Sequence, residues 1–103
     1  MQLLSIIIPV YNEGNTIHLI LDKIKNVILP QNIEKEIIII NDCSTDNTSD
    51  SIQKYIATNT TLNISYFEHD INKGKGAALH TGIKNAKGDY TIIQDADLEY
   101  DPE

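Results

Sequence analysis

The sequence predicts an α/β fold built on a parallel sheet, and three observations carry that expectation. Two near-continuous isoleucine-rich runs, Leu3–Val10 and Glu36–Asn41, have the character of strands buried on both faces. Apolar residues at helical spacing lie between these runs and two further strand candidates. The resulting order, βαβαβαβ, has neither repeats nor linkers, which favours parallel strands joined by right-handed crossovers.

Each element has its own signal. After the first strand, Ile17, Ile20, Leu21, Ile24, Val27 and Ile28 mark one face of a helix, with Pro30 as its stop. The second strand, Glu36–Asn41, leads to a helix marked by Ile52, Tyr55 and Ile56, with Asp46 or Thr48 as its N-cap. Leu62–Glu68 alternates, placing Leu62, Ile64 and Tyr66 on one side, as a strand near a sheet edge would. Ala77, Ala78, Leu79, Ile83 and Ala86 mark the third helix, closed by Gly88 at the C′ position. Asp89–Gln94, built on Tyr90, Ile92 and Ile93, is the fourth strand.

Composition narrows the function. A chain of 103 residues suits one modest domain, and 41% hydrophobic with 22% charged residues excludes disorder. A single cysteine excludes an internal disulfide scaffold. The net charge of −7, with no arginine, has the wrong sign for nucleic acid. The charge is also uneven: Lys73 to Gly88 holds four lysines and no acid, whereas Asp89 to Glu103 holds six acids and no base. Such a dense acidic segment is either a solvated tail or a site that expects a cation. No targeting signal stands out and no stretch approaches the ~20 apolar residues of a membrane span, so the chain is expected in the cytoplasm.

In parallel sheets ligands bind outside the carboxyl ends of the strands. Those ends read Pro9-Val10-Tyr11-Asn12-Glu13, Asn41-Asp42-Cys43-Ser44-Thr45-Asp46, His69-Asp70-Ile71-Asn72-Lys73-Gly74-Lys75 and Asp95-Ala96-Asp97-Leu98-Glu99. Nearly all the chemically capable residues fall there and should share one rim. The first strand lacks a G-x-G-x-x-G, no P-loop pattern occurs, and neither Cys43 nor any serine has a histidine-paired motif. The strongest chemical signal is Asp95-x-Asp97, with Glu99 continuing the spacing. Carboxylates so placed suit one hard, oxygen-preferring cation that also holds phosphates, while a solvated acidic loop is the alternative.

Those four segments, with Asn72-Lys73-Gly74-Lys75-Gly76 and the run Asp95 to Glu103, occur in the order and spacing of a known family. Together they resemble the donor-binding part of a family-2 glycosyltransferase, and within that family the polyprenyl-phosphate (dolichol-phosphate) mannose or glucose synthases. The resemblance implies a Rossmann-like sheet, the N-terminal nucleotide-binding half of a GT-A fold, over residues 1–103. It implies that Pro9, Tyr11 and Glu13 line the base and ribose, and that Ile40 and Asp42 contact the base, Asp42 accepting its N–H. It assigns Asp95 and Ala96 to ribose and diphosphate, and Asp97 with Glu99, joined by Asp95, to Mg²⁺ or Mn²⁺. Lys75, with Lys73, stands at a helix start where diphosphate charge can be neutralised. For Ser44, Thr45 and Asp46 helix capping is the preferred role. The family usually has glycine where Cys43 stands, so a positive φ there would strain the loop.

The implied reaction moves a hexosyl group from a UDP- or GDP-sugar to an acceptor, a polyprenyl phosphate or a glycan. No catalytic base is expected within these residues, and the chain reads as truncated after the D-x-D motif, inactive alone. The fourth strand is expected to keep an open edge prone to self-association. The full-length protein would then work at the cytoplasmic face of a membrane. A non-catalytic nucleotide- or metal-binding module remains open as the second class.

Overall fold

The computed structural model describes residues 2–30 and 32–96. Its elements follow the expected order: β1 (Gln2–Val10), α1 (Ile17–Asn26), β2 (Ile33–Asn41), α2 (Thr48–Thr58), β3 (Ile64–Glu68), α3 (Lys75–Asn85) and β4 (Tyr90–Ile93). All strand pairs are parallel, in the spatial order β3-β2-β1-β4. The alternating run is therefore an α/β Rossmann-like sheet, with the isoleucine-rich strands central. Their register stacks Ile6 on Ile37, Ile7 on Ile38 and Ile8 on Ile39.

The side-chain period of two splits those isoleucines between two cores. Ile6, Ile8, Val10, Ile37 and Ile39 meet Ile17, Ile20, Leu21 and Ile24 of α1 and Ile52 and Tyr55 of α2. On the other face Ile7, Ile38 and Ile40 meet Ala78 of α3. Both faces are thus covered, which is why neither run alternates with polar residues.

Several expectations need correcting. α1 ends at Asn26, so Val27 and Ile28 leave its apolar face; Ile28 is 94% exposed. The amino group of Lys35 caps that end, donating to the carbonyl oxygens of Ile24, Lys25 and Val27. The α2 N-cap is Asn47 rather than Asp46 or Thr48. Ile83 is mostly exposed, and the buried partner of Ala78 one turn on is Gly82. A Cβ there would lie 2.4 Å from Ile7 Cγ2 and 2.9 Å from Ile40 Cδ1, so α3 sits close on the sheet only because that position is bare. Gly88 is not a left-handed C′ residue; α3 ends at Asn85 with Ala86 already extended.

Candidate functional site

The β1–α1, β2–α2 and β3–α3 loops gather at the carboxyl ends of the strands, held by side-chain to backbone bonds. Asn12 adopts φ 54°, a left-handed conformation that asparagine tolerates better than most residues. Its side-chain oxygen accepts from the Thr45 N–H (2.7 Å), while its own N–H donates to Ser44 Oγ (2.9 Å). Ser44 Oγ in turn donates to Asn41 Oδ1 at 2.5 Å. Ser44 and Thr45 therefore tie two loops together rather than cap a helix. Asp46 does act at the α2 start, accepting from the Thr48 N–H (2.9 Å), and also holds the Gly14 N–H (3.2 Å). Glu13 Oε1 accepts from Thr16 Oγ1 at 2.8 Å, just ahead of α1.

Asp42 is the organising carboxylate. It is 3% exposed. Its Oδ1 accepts from the Lys73 N–H (2.9 Å) and lies 2.8 Å from His69 Nδ1, while Oδ2 accepts from the Gly74 N–H (2.7 Å). Burial alone pushes this carboxyl up, but the Lys73 N–H, the His69 ring and the Gly74 N–H together hold it below the ordinary carboxylate range. Gly74 has φ 92° and ψ 163°, a region open essentially to glycine alone, and it lets the chain turn directly into α3. Lys75, the first residue of that helix, reaches over the rim to Asp95, its Nζ 2.5 Å from Oδ1.

These loops enclose a cleft of about 190 Å³ lined by Pro9, Val10, Tyr11, Glu13, Asp42, Lys75, Ala78, Asp95 and Ala96. The structure thus brings together Pro9, Tyr11, Glu13, Asp42, Lys75, Asp95 and Ala96. Ile40 does not line it; its side chain is fully buried against Ile7, Ile38 and Ala78 beneath the cleft. Asp97 and Glu99 lie outside the described residues. Among the described residues no three His, Cys, Asp or Glu side chains converge as a metal site. Asp95 alone of the expected ligands is described, with an exposed oxygen donor of the kind Mg²⁺ and Mn²⁺ prefer.

One feature escaped the sequence reading and another was anticipated by it. His69, expected only as one residue of the third strand end on the rim, bridges Asp42 and Thr81. Cys43 does have a positive φ, 60°, as the glycine usual in the family would suit. Left-handed backbone costs a side-chain-bearing residue about 1 kcal/mol, and among the described residues the thiol's only bond is a long one, 3.4 Å, to the Asp70 carbonyl. Cys43→Gly is therefore expected to stabilise the chain by about 1 kcal/mol, raising Tm by about 4–8 °C. A melting curve with Tm unchanged or lowered would contradict this.

Known proteins share this architecture. The mannosyltransferase PcManGT from Pyrobaculum calidifontis, solved in complex with GDP-Man and Mn²⁺, superposes with a TM-score of 0.83 at 30% identity, over 93% of this chain and 27% of that one. Staphylococcus aureus TarS 1-349 in complex with UDP gives 0.81 at 30% identity, over 94% of this chain and 28% of that one. In sequence, the poly-beta-1,6-N-acetyl-D-glucosamine synthase of Staphylococcus aureus is 40% identical over 98 residues, 95% of this chain and 22% of the relative. The chain thus spans about a quarter of the length of the proteins it matches. The family model described as glycosyl transferase family 2 matches residues 5–103, and with the GT-A-type sheet and its rim in place, this chain belongs to that family.

Proposed function

We propose that residues 1–103 form the donor-binding part of a metal-dependent hexosyltransferase that draws its sugar from a nucleoside diphosphate sugar. The observation that carries this reading is the single cleft into which four separate strand ends project Tyr11, Glu13, Asp42, Lys75 and Asp95. Tyr11 offers an exposed ring for stacking, Glu13 and Asp42 offer acceptors to base and ribose, and Lys75 supplies positive charge at a helix N-terminus. Asp95, Asp97 and Glu99 would hold Mg²⁺ or Mn²⁺. When bound, that ion stabilises charge growing on the leaving diphosphate.

Lys75 pairs with Asp95, and the pair must separate for Lys75 to serve a diphosphate. Binding of a donor therefore exchanges one ion pair for another rather than exposing a bare charge. A phosphate acceptor arrives already anionic and needs no base, whereas a hydroxyl acceptor does. The likeness to polyprenyl-phosphate hexose synthases supports a lipid phosphate as acceptor, at the cytoplasmic face of a membrane; a glycan acceptor is the alternative. No helix among the described residues is long and apolar enough to cross a membrane. The acceptor groove would lie outside these residues, and the chain alone would turn over little or no donor. Among the described residues β4 pairs only with β1, which supports pairing of its other edge with further chain or a second copy.

Calorimetric titration with UDP and with GDP, each with and without Mn²⁺, tests the reading. Metal-dependent binding of one nucleotide, weakened at least roughly tenfold in Asp97→Asn, is the expected result. Binding that ignores both metal and mutation would refute the metal assignment.

A further inference from the structure

His69 follows directly on β3, and its side chain is only 8% exposed, with both ring nitrogens engaged. Nδ1 lies 2.8 Å from Asp42 Oδ1 and Nε2 lies 2.9 Å from Thr81 Oγ1 on α3. An ionised carboxylate only accepts, so Nδ1 carries a proton, and in the neutral ring the Thr81 hydroxyl donates to Nε2. The imidazole is thereby braced from α3 and delivers one fixed donor to Asp42.

The consequence lies in what remains of the carboxylate. Its two oxygens offer about four acceptor positions. Among the described residues three of them are filled: His69 and the Lys73 N–H on Oδ1, and the Gly74 N–H on Oδ2. One position is left, on Oδ2, in a residue that lines the cleft. The edge of uracil presents one N–H between two carbonyls. Guanine presents an N–H beside an NH₂, two parallel donors that call for both oxygens of a carboxylate. An Asp42 with one acceptor left satisfies uracil but cannot take both parallel guanine donors, a mismatch that polar sites discriminate against strongly.

We propose that His69, braced by Thr81, is a positioning residue that makes Asp42 a single-acceptor reader of the base and so selects a uridine over a guanosine diphosphate sugar. This rests on the donor-site reading above. Titrating the chain with UDP and with GDP in Mn²⁺ is expected to give UDP at least roughly tenfold tighter binding. His69→Asn, which keeps a donor near the Nδ1 position, should retain most of that preference. His69→Leu should lower UDP affinity roughly tenfold and bring the UDP-to-GDP ratio close to one, because Oδ1 is released to take a second donor. The ratio is the decisive readout, since a purely structural loss weakens both nucleotides alike. Where melting shows that His69→Leu has unfolded, Thr81→Val, which frees Nε2, is read by the same ratio. A wild-type chain that prefers GDP or binds both equally overturns the inference and leaves the donor site standing. An unchanged ratio in a folded variant that has lost the brace overturns it too. A folded chain that binds neither nucleotide overturns the donor reading and this inference together.

Discussion

Gly88→Ala is expected to destabilise the chain by about 3–4 kcal/mol, a large part of the 5–15 kcal/mol typical of a domain this size. The reason is space rather than backbone conformation. A Cβ at Gly88 would lie 2.5 Å from Ser5 Oγ, 2.7 Å from the Leu3 carbonyl oxygen and 2.8 Å from Ser5 N. Two of those atoms are backbone of the central strand β1 and cannot turn aside. The Gly88 N–H also donates to Ser5 Oγ (2.8 Å), which donates to Glu36 Oε2 (2.5 Å), which accepts from the Lys87 N–H (2.7 Å). Glu36 and Ser5 are both buried, so displacing the loop takes the Lys87 N–H from the Glu36 carboxylate and the Gly88 N–H from Ser5 where water does not replace them. Gly76→Ala is the matched control, because a Cβ there meets nothing within 4 Å and lies within α3. It should change stability by no more than about 1 kcal/mol, in the stabilising direction. Urea unfolding of both variants decides the matter; a Gly88→Ala midpoint near that of the parent would mean the loop can move off β1 at little cost.

Asp42→Ala is expected to cost about 3 kcal/mol and to abolish nucleotide binding. It leaves the His69 ring and the N–H groups of Lys73 and Gly74 without their acceptor, and these bonds are what anchor the start of α3 to β2. The same bonds give stability a pH signature. Asp42 is held below the ordinary carboxylate range, as are Asp46, by the Thr48 hydroxyl and N–H and the Gly14 N–H against the upward push of burial, and Glu68, by the hydroxyls of Ser49 and Tyr66. Protons therefore bind the unfolded chain more readily than the folded one. The stability these groups contribute is fully present above their unfolded values, about 4, and is lost as pH falls through the lower folded values. Urea midpoints measured from neutral pH down to about 3 should drop most steeply below pH ~4. Asp42→Asn should be less stable than the parent at neutral pH, with a shallower acid limb and a gap that narrows on acidification. A gap that stays constant across that range would show that the charge of Asp42 contributes nothing.

The sheet was legible because its signal is local. Long isoleucine runs, a helical apolar period and the turn residues between them are properties of neighbouring residues, and the four strands and three helices lie within a few positions of where those patterns put them. The misses share a cause. Val27, Ile28 and Ile83 are apolar at helical spacing, yet exposed, because periodicity says which residues share a face and not where the helix stops or how near the sheet comes. Gly82 was silent in the pattern because a missing side chain carries no period, although it decides how closely α3 packs. Gly88 was noticed for the wrong property, a left-handed conformation it does not adopt.

The rim divides in the same way. That Pro9, Tyr11, Glu13, Asp42, Lys75, Asp95 and Ala96 should meet followed from one rule, that parallel strands deliver their carboxyl ends to one side. The alternating order of elements by itself determined the fold class, and through it the address of the site. Only the tertiary structure decided what each residue does at that address. Ile40 went into the core because its alternation places it against α3, and Asp42 became a three-fold acceptor because His69, Lys73 and Gly74 arrive beside it from a loop 27–32 residues further along the chain. Hydrogen-bond partners depend on distances of a few tenths of an ångström between segments remote in sequence, and spacing along one chain does not encode them.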